Sequence, residues 1–301
     1  MSRYATWGII LDDIIYPNGR TAMAQLGGGG LYAACGMRLW HDDVTLNAAV
    51  GADFDPRCLK PHGFDDRGLV VTDLPTPRAW QVLEEDGRRT QVPRVSAEAW
   101  FDQLVHVPAA QPISPTLKGF HFFGRGDALE EQFVQALVAA NVFLSAELIV
   151  DEDTTSVEIA IFKRCLPFFT IFSPGEPDAQ VLVGERPPKE QLRALAALGP
   201  RLVALRRGKA GSLIYDREAD LFLRVPAFPA KVVDVTGAGN AFCGGLLVGW
   251  LETYDLRQAA AQAAVSAALT IAQIGPPVID EAVQRLARQR AAEAMRLIEE
   301  V

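Results

Sequence analysis

Short apolar runs alternate along this chain with segments of helical periodicity, and this alternation constrains the fold more than any other feature of the sequence. Runs that are apolar at nearly every position suit parallel β-strands that helices cover on both faces. The predicted strands are residues 4–11, 44–50, 119–123, 142–150, 168–172 and 201–205. The pattern therefore predicts an α/β protein with a three-layer αβα fold, a mostly parallel central sheet and right-handed crossovers.

Four of the intervening segments carry helix signals. They are residues 128–140, 188–198, 256–273 and 281–300. Asp127 is the predicted N-cap of the first helix, and Glu130, three residues further on, completes a capping box. Asp255 is the predicted N-cap of the third helix. These helices supply the outer layers of the predicted fold.

Residues 69–95 interrupt this rhythm. Short strands predicted at 69–72, 78–83 and 89–92 surround a turn at 85–87 and indicate a small antiparallel sheet. We expect one domain over residues 1–301, with a β lid formed mainly by about 69–95 together with part of the N-terminal region. The exposed edge of such a lid predicts pairing with a second copy, and hence a homodimer.

Charge and cysteine spacing exclude several classes of function. The chain carries 29 basic and 37 acidic residues, a net charge of −8, and no block of Lys and Arg. This argues against nucleic acid and against an anionic membrane surface as partners. The sequence has no run of 18 apolar residues and no signal-peptide pattern at its start, so we expect a cytoplasmic protein. Four scattered cysteines and four scattered histidines show neither zinc-site nor disulfide spacing.

The most informative segment is residues 232–245, which read VVDVTGAGNAFCGG. An apolar strand end runs into Gly237-Ala238-Gly239 and then into a helical pattern. Backbone N–H groups and the positive end of a helix converge at such a turn, which predicts an anion hole for phosphate oxygens. For a Gly-x-Gly turn alone, however, close packing of a helix on a sheet is the simpler explanation.

Two standard phosphate-binding motifs do not fit this chain. The dinucleotide fingerprint needs a third glycine where Phe242 stands, and it usually opens a domain rather than closing it. A Walker loop needs Gly-Lys-Ser or Gly-Lys-Thr, but Gly208-Lys209 is followed by Ala210. The turn at 237–239 therefore belongs to neither class.

The same segment resembles the second signature of the PfkB (ribokinase-like) carbohydrate kinases, which reads D-T/x-T-G-A-G-D-x-F. Three further segments are similar to that family in order and spacing. Residues 27–34 (GGGGLYAA) with 50–54 (VGADF) resemble its first signature, 8–13 (GIILDD) its opening strand, and 206–211 (RRGKAG) its nucleotide-contacting strand and loop. The resemblance spans nearly the whole chain and implies the ribokinase-like fold.

The resemblance also implies an activity and a site. The activity is ATP-dependent transfer of a phosphoryl group to a hydroxyl of a sugar, nucleoside or related polyol. The implied residues are Gly237, Ala238 and Gly239 for the anion hole; Asp13, Gly27, Gly28 and Tyr32 for the substrate; Gly208 and Gly211 for ATP; Asp178 for Mg²⁺ through water; and Asp234 with Thr236 for a monovalent cation such as K⁺.

Three positions depart from the family pattern. Asn240 replaces the Asp that serves as general base, and losing such a base costs about 10²–10⁴-fold in rate. Gly175 and Asp178 stand for the Asn and Glu of the family's Mg-linked N-x-x-E, and Tyr32 replaces an Asn of the first signature. Three hypotheses stay open. The first is a weak kinase in which Asn240 orients the acceptor hydroxyl without activating it, and the second is a degenerate kinase that binds a sugar or nucleotide as a sensor or partner module. The third is a purely structural partner that binds neither ligand.

Overall fold

The computed structural model of the chain describes residues 2–85, 89–150 and 154–301. The turn predicted at 85–87 lies mostly outside these residues. Strands and helices alternate as the sequence pattern predicts. The strands are β1 Tyr4–Trp7, β2 Ile10–Ile15, β3 Thr21–Gly27, β4 Val44–Gly51, β5 Leu69–Thr72, β6 Arg78–Leu83, β7 Arg89–Pro93, β8 Gly119–Gly124, β9 Phe143–Leu148, β10 Ile171–Phe172, β11 Leu202–Arg206, β12 Ser212–Asp216, β13 Leu221–Val225 and β14 Glu299–Glu300.

The main sheet has the strand order β14-β13-β12-β11-β10-β9-β8-β1-β4-β5 over the described residues. From β11 to β5 every neighbouring pair is parallel, whereas β12, β13 and β14 pair antiparallel at the other edge. The predicted mostly parallel sheet is confirmed. The hairpin of β12 and β13 was not predicted.

The helices form a layer on each side of this sheet. They are α1 Gly29–Arg38, α2 Ala97–Phe101, α3 Val107–Ala109, α4 Ala128–Ala139, α5 Ser156–Cys165, α6 Glu176–Val183, α7 Pro188–Ala196, α8 Ala238–Thr253, α9 Leu256–Thr270 and α10 Glu281–Met295. One core cluster joins the sheet to α1, α8, α9 and α10, and a second joins it to α4, α5, α6 and α7. The predicted three-layer fold is confirmed.

Side-chain caps set several helix starts. Asp127 Oδ1 accepts from the Glu130 N–H at 2.8 Å, and Glu130 Oε2 accepts from the Asp127 N–H at 3.0 Å, which confirms the predicted capping box. Asp255 caps α9 as predicted. The helix predicted at 281–300 ends earlier, at Met295, because the chain then turns back to pair β14 with β13. No helix in the described part of the chain is long and apolar enough to cross a membrane.

A second, smaller sheet lies against the main one, in the order β3-β2-β6-β7. Its outer pairs are antiparallel, and β2 runs parallel to β6. Two expectations about it are wrong. Residues 4–11 are not one strand, because Gly8 at φ +98° turns the chain from β1 in the main sheet to β2 in the lid. Residues 69–72 are not lid, because β5 pairs parallel with β4 at the edge of the main sheet.

Helix α8 packs on α1 with almost no space between the backbones. A Cβ added to Gly244 would overlap the carbonyl oxygen of Ala33, and a Cβ added to Gly36 would overlap the carbonyl oxygen of Ala241. Glycine is therefore required where these helices cross, since any side chain would push them apart. This contact fixes the first two turns of α8 against the middle and the end of α1.

We predict that Gly244→Ala destabilises the protein by about 1–3 kcal/mol, because the added methyl group must displace backbone atoms of α1. Helix propensity alone predicts the opposite sign, a gain of about 1 kcal/mol. Urea denaturation of the two proteins measures the difference. An unchanged or raised midpoint would show that α1 and α8 are not in close contact at this residue.

Candidate active site

The Gly-Ala-Gly turn lies at the N-terminus of α8. Gly237 is the N-cap residue and has φ +76°, a conformation that side chains disfavour. The Ala238 N–H donates to the Val235 carbonyl at 3.3 Å, so one of the three predicted anion-hole amides is already used. Within the described hydrogen-bond network, the amides of Gly237 and Gly239 have no acceptor. They remain available to a ligand at the positive end of the helix.

Two cavities meet at this turn. The first, here called the lid cavity, has a volume of about 290 Å³ and lies under the small sheet. The second, the hairpin cavity, has a volume of about 650 Å³ and lies beside β12 and β13. Thr236, Gly237 and Asn240 line the lid cavity, whereas Ala238 and Gly239 line the hairpin cavity. A group held at the turn would therefore face both.

Asn240 occupies the first turn of α8, at the position where the resemblance implies a general base. Its Nδ2 donates a short hydrogen bond to Oε1 of Glu147, which lies near the end of β9. Both residues line the lid cavity. A carboxylate thus lies directly next to the position where the chain lacks one.

Glu147 belongs to a polar cluster between the sheet and α8. The two-residue period of a strand places Ser145 and Glu147 on the same face of β9. His121 Nδ1 lies 2.6 Å from Ser145 Oγ, and His121 Nε2 lies 3.5 Å from Glu147 Oε1. From β11, Arg206 Nη2 pairs with Glu147 Oε2 at 2.6 Å.

The cluster keeps Glu147 ionised. Burial alone would raise its pKa, but the charge of Arg206 and the hydrogen bonds from His121 and Asn240 outweigh burial and hold the pKa of Glu147 below its usual range. Cys243 completes a buried group with His121 and Glu147 whose ligand atoms lie within 4.8 Å of one another. Burial raises the pKa of the Cys243 thiol to about 12, and the Arg206 guanidinium already occupies Glu147, so the group is a poor metal site.

Arg206 also reaches the Gly237–Gly239 turn. A Cβ on Gly239 would overlap its Nη1, so the guanidinium lies directly against this glycine. Arg206 lines the hairpin cavity, and its Nε is buried without an acceptor in the described structure. A fixed positive charge therefore lies between Glu147 and the turn.

The two acidic residues at 12 and 13 face opposite sides of β2. Asp13 is fully buried away from the lid cavity and pairs with Arg78 at 2.7 and 2.8 Å, with Arg94, and with the Ala24 N–H. Asp12 lines the cavity instead and accepts from Gln81 Nε2 at 2.7 Å. The expectation that Asp13 holds the substrate is thus at odds with the structure, which gives the cavity position to Asp12.

Gly28 lines the lid cavity, and Gly27 lies next to it, against the Asp12 carboxylate. A Cβ on Gly27 would overlap the Asp12 carboxylate, and one on Gly28, at φ +104°, would press on the backbone of Ile10. Tyr32 is buried, lines the lid cavity, and lays its ring against Gly237, where any Cβ would overlap it. The Tyr32 ring therefore packs against the turn at Gly237 and holds it in place.

The glycines implied for the nucleotide lie on the other side of the turn. Gly208 and Gly211 line the hairpin cavity with Gly175. Asp178 caps α6 by accepting from the Gly175 N–H at 3.1 Å through Oδ2. Burial raises the pKa of Asp178, and the charge of Arg206 opposes this shift.

The carboxylates on this side of the turn could hold Mg²⁺ only through its bound water molecules. Mg²⁺ keeps most of its own waters and takes few protein oxygens. Oδ2 of Asp178 already accepts a backbone hydrogen bond, and Oε1 of Glu176 lies 3.4 Å from Nε of Arg207. Neither carboxylate is therefore fully available to a metal ion. Asp234 Oδ1 accepts from the Thr236 N–H at 2.9 Å, which leaves its other oxygen for a monovalent cation.

Sequence reasoning missed Glu147, assigned the substrate position to Asp13 rather than Asp12, and did not connect Arg206 with Glu147. Glu147 had a signal, because a charged residue inside the apolar run 142–150 must be paired if that run is a covered strand. Arg206 begins the segment that resembles the family's nucleotide-contacting strand and loop, but nothing in the sequence indicates that it pairs with Glu147. Trp100, Phe101 and Leu104, from α2 and the turn after it, form an apolar wall of the lid cavity.

Comparison with known proteins assigns the family. The profile described as pfkB family carbohydrate kinase matches residues 17–280, and the chain belongs to this family. A cytidine kinase from Thermococcus kodakarensis is 27% identical, over 83% of this chain and 88% of that protein.

Solved structures agree on the fold. A nucleoside kinase from Burkholderia thailandensis, in complex with ADP-inosine, has a TM-score of 0.76 at 19% identity, and the match covers 97% of this chain and 95% of that one. A fructokinase from Vibrio cholerae O395, in a form with fructose, ADP and calcium, has a TM-score of 0.77 at 21% identity, covering 95% and 98%. The chain therefore has the ribokinase-like fold with its small lid sheet.

We predict that Asp13→Asn destabilises the fold rather than weakening ligand binding. The hydrogen bond from Arg78 lowers the pKa of Asp13 to about 2, despite burial. A pKa lowered by folding contributes stability that is present above about pH 4 and is lost as the pH falls toward 2. We expect a loss of about 2 kcal/mol at pH 7.

Urea denaturation between pH 7 and pH 3 measures this loss, and the gap between the two proteins should narrow below pH 4. Asp65→Asn is the matched control, since Asp65 forms an exposed pair with Arg67 at 2.8 Å and should cost less than about 1 kcal/mol. Equal losses at the two sites, or a gap that does not change with pH, would contradict the assignment.

Proposed function

We propose that this protein transfers the γ-phosphoryl group of Mg-ATP to a hydroxyl group of a small neutral acceptor, a nucleoside, sugar or related polyol. The observation that carries the proposal is the Gly237–Gly239 turn, whose unoccupied amides lie at a helix N-terminus between two cavities. Phosphoryl transfer needs a donor and an acceptor on opposite sides of one anion-binding point. ATP would lie in the hairpin cavity and the acceptor in the lid cavity.

The lid cavity suits a neutral acceptor. Of its described lining residues, five carry carboxyl groups: Asp12, Asp127, Glu130, Glu147 and Glu158. The same described lining residues include one cationic side chain, Arg125, whose Nε lies 3.6 Å from Glu158 Oε1. Burial raises the pKa of Glu130 to about 7, but the remaining carboxylates keep the potential negative and disfavour a phosphorylated acceptor.

Polar groups in the cavity match hydroxyls. Gln81 donates to Asp12 at 2.7 Å and to Gln91 at 2.9 Å, and all three line the cavity. Gln81 Oε1 is buried without a donor among the described residues, so a ligand hydroxyl would satisfy it. The opposite wall, with Trp100 and Phe101, would contact the apolar face of a ring. The relatives that are nucleoside and sugar kinases support this class.

The chemistry needs little beyond positioning and charge. The acceptor oxygen forms a bond to Pγ, the bond from Pγ to the bridging oxygen breaks, and ADP leaves with that electron pair. The hydroxyl proton passes to an oxygen of the transferred phosphoryl group, because the neutral Asn240 amide cannot hold it. The amides of Gly237 and Gly239 and the charge of Arg206 stabilise the phosphoryl oxygens. Bound Mg²⁺ would neutralise phosphate charge, with Asp178 holding one of its waters.

The amide at Asn240 favours a second candidate function, that of a degenerate kinase that binds its ligands without turnover. Loss of a general base lowers the reaction rate but leaves the ligand cavities unchanged. Binding and turnover are therefore measured separately.

We predict that the purified protein with Mg-ATP releases ADP in the presence of at least one nucleoside or sugar, and not with sugar phosphates. A coupled ADP assay over a panel of nucleosides, hexoses, pentoses and their phosphates measures this. Mg-ATP and the accepted compound should each raise the melting temperature. Shifts without turnover would establish the binding module, and no shift with any nucleotide, nucleoside or sugar would reject both functions.

A glycine variant tests the turn itself. Gly237→Ala should lower turnover by about 10²-fold or more, because its Cβ displaces Tyr32 and moves the turn out of position. Gly275→Ala is the control: Gly275 also has positive φ, +74°, but has nothing within 4 Å of its Cβ position. Equal losses in both variants would mean that backbone strain, not the anion site, explains the effect.

A further inference from the structure

The Glu147–Asn240 contact fixes which way the Asn240 amide points. Glu147 is ionised, because Arg206 pairs with it at 2.6 Å and its pKa is held low. An ionised carboxylate only accepts hydrogen bonds, so the group of Asn240 that faces it must be the NH₂. The amide oxygen is then the end of the side chain left for a ligand in the lid cavity.

An amide in this position has one useful orientation and one harmful one. With the oxygen toward the cavity it accepts a hydrogen bond from a hydroxyl and aims the hydroxyl oxygen at the phosphoryl group. With the NH₂ toward the cavity it would donate to that same oxygen and occupy the lone pair that attacks. A site that uses Asn at this position therefore needs a group that selects the first orientation.

We propose that Glu147 is the positioning residue of this site: its carboxylate holds the Asn240 amide with Oδ1 toward the acceptor hydroxyl, so that Asn240 functions in place of a carboxylate. The inference rests on the proposed function. It assigns to residue 147 the negative charge that other members of the family carry at the position of residue 240. Arg206 keeps that charge ionised and connects it to the turn at Gly239.

The proposal predicts that restoring the family's residue by itself is harmful. In Asn240→Asp, two carboxylates would face each other within hydrogen-bond distance, and like charges at this distance cannot both ionise freely. The groups that would share the change in charge are Arg206 and His121 from the sheet, Cys243 from α8 and Asp178 from α6. A proton shared between Glu147 and the carboxylate introduced at position 240 would restore the link, so activity should rise as the pH falls from 8 to 6.

Exchanging the two groups should repair this damage. In Asn240→Asp with Glu147→Gln, an amide at 147 donates to a carboxylate at 240, and the pair again holds one negative charge. We expect N240D to lower kcat at least 10-fold at pH 7.5, and the double variant to recover to within 3-fold of the parent without the dependence on low pH. E147Q alone should raise the acceptor KM about 10-fold more than the KM for ATP, since Asn240 faces the acceptor directly, whereas the ATP side is affected only through Arg206.

The experiment measures kcat and both KM values from pH 6 to pH 8 for the parent, the two single variants and the double variant. Glu131→Gln is the matched control, because Glu131 also pairs with an arginine, Arg164 at 2.7 Å, but on the exposed surface. An N240D protein that is faster than the parent at pH 7.5 would overturn the proposal. A double variant no better than N240D would overturn it as well.

Failure of the positioning role can be distinguished from failure of the proposed function. If the parent turns over no acceptor, the proposed function fails, and calorimetric affinities for an acceptor that raises the melting temperature replace kcat. Loss of affinity in N240D and recovery in the double variant would then support the positioning role. Additive effects of the two substitutions on affinity, or no acceptor binding by the parent, would reject it.

Discussion

The ion pair between Glu147 and Arg206 is the interaction on which the arrangement of the site depends. It joins the carboxyl ends of β9 and β11 beneath the first turn of α8. Each charge alone would be costly in this place, because burial of an unpaired ion costs several kcal/mol. As a pair the two charges offset each other: the Glu147 carboxylate contacts Asn240, and the Arg206 guanidinium lies against Gly239. A negative charge at the lid cavity and a positive charge at the Gly237–Gly239 turn are thus held close together.

Close helix packing sets the position of the turn relative to that pair. Glycines at 36 and 244 let α1 and α8 touch backbone to backbone, and Tyr32 on α1 then lies under Gly237. The same two signatures that resemble the PfkB family therefore contact each other physically, one from each helix. Substitution of Tyr for the family's Asn at 32 is consistent with this support, since a ring fills the space beneath a turn that has no side chain.

Several departures from the family pattern have a joint physical explanation. An Asp at 240 would face Glu147, so the amide at 240 and the carboxylate at 147 belong together. Asp13 is withdrawn into a buried network with Arg78 and Arg94, and its neighbour Asp12 faces the cavity. In both cases a carboxylate lies in the site, close to the position where the family pattern expects one. The substitutions that looked like loss of function in the sequence are therefore compatible with a working kinase.

What the sequence determined by itself is the layered fold and the turn. Alternating apolar runs predict the parallel sheet, capping residues such as Asp127 predict helix starts, and two glycines predict the N-terminus of α8, because each of these signals is local. Tertiary structure alone assigned residues 4–11 to two sheets and 69–72 to the main one, because pairing partners lie far away along the chain. It also decided between Asp12 and Asp13, since adjacent strand residues point to opposite faces. Glu147, Arg206 and Asn240 come from three distant segments, and the distances that give them electrostatic roles exist only once the sheet and α8 have packed together.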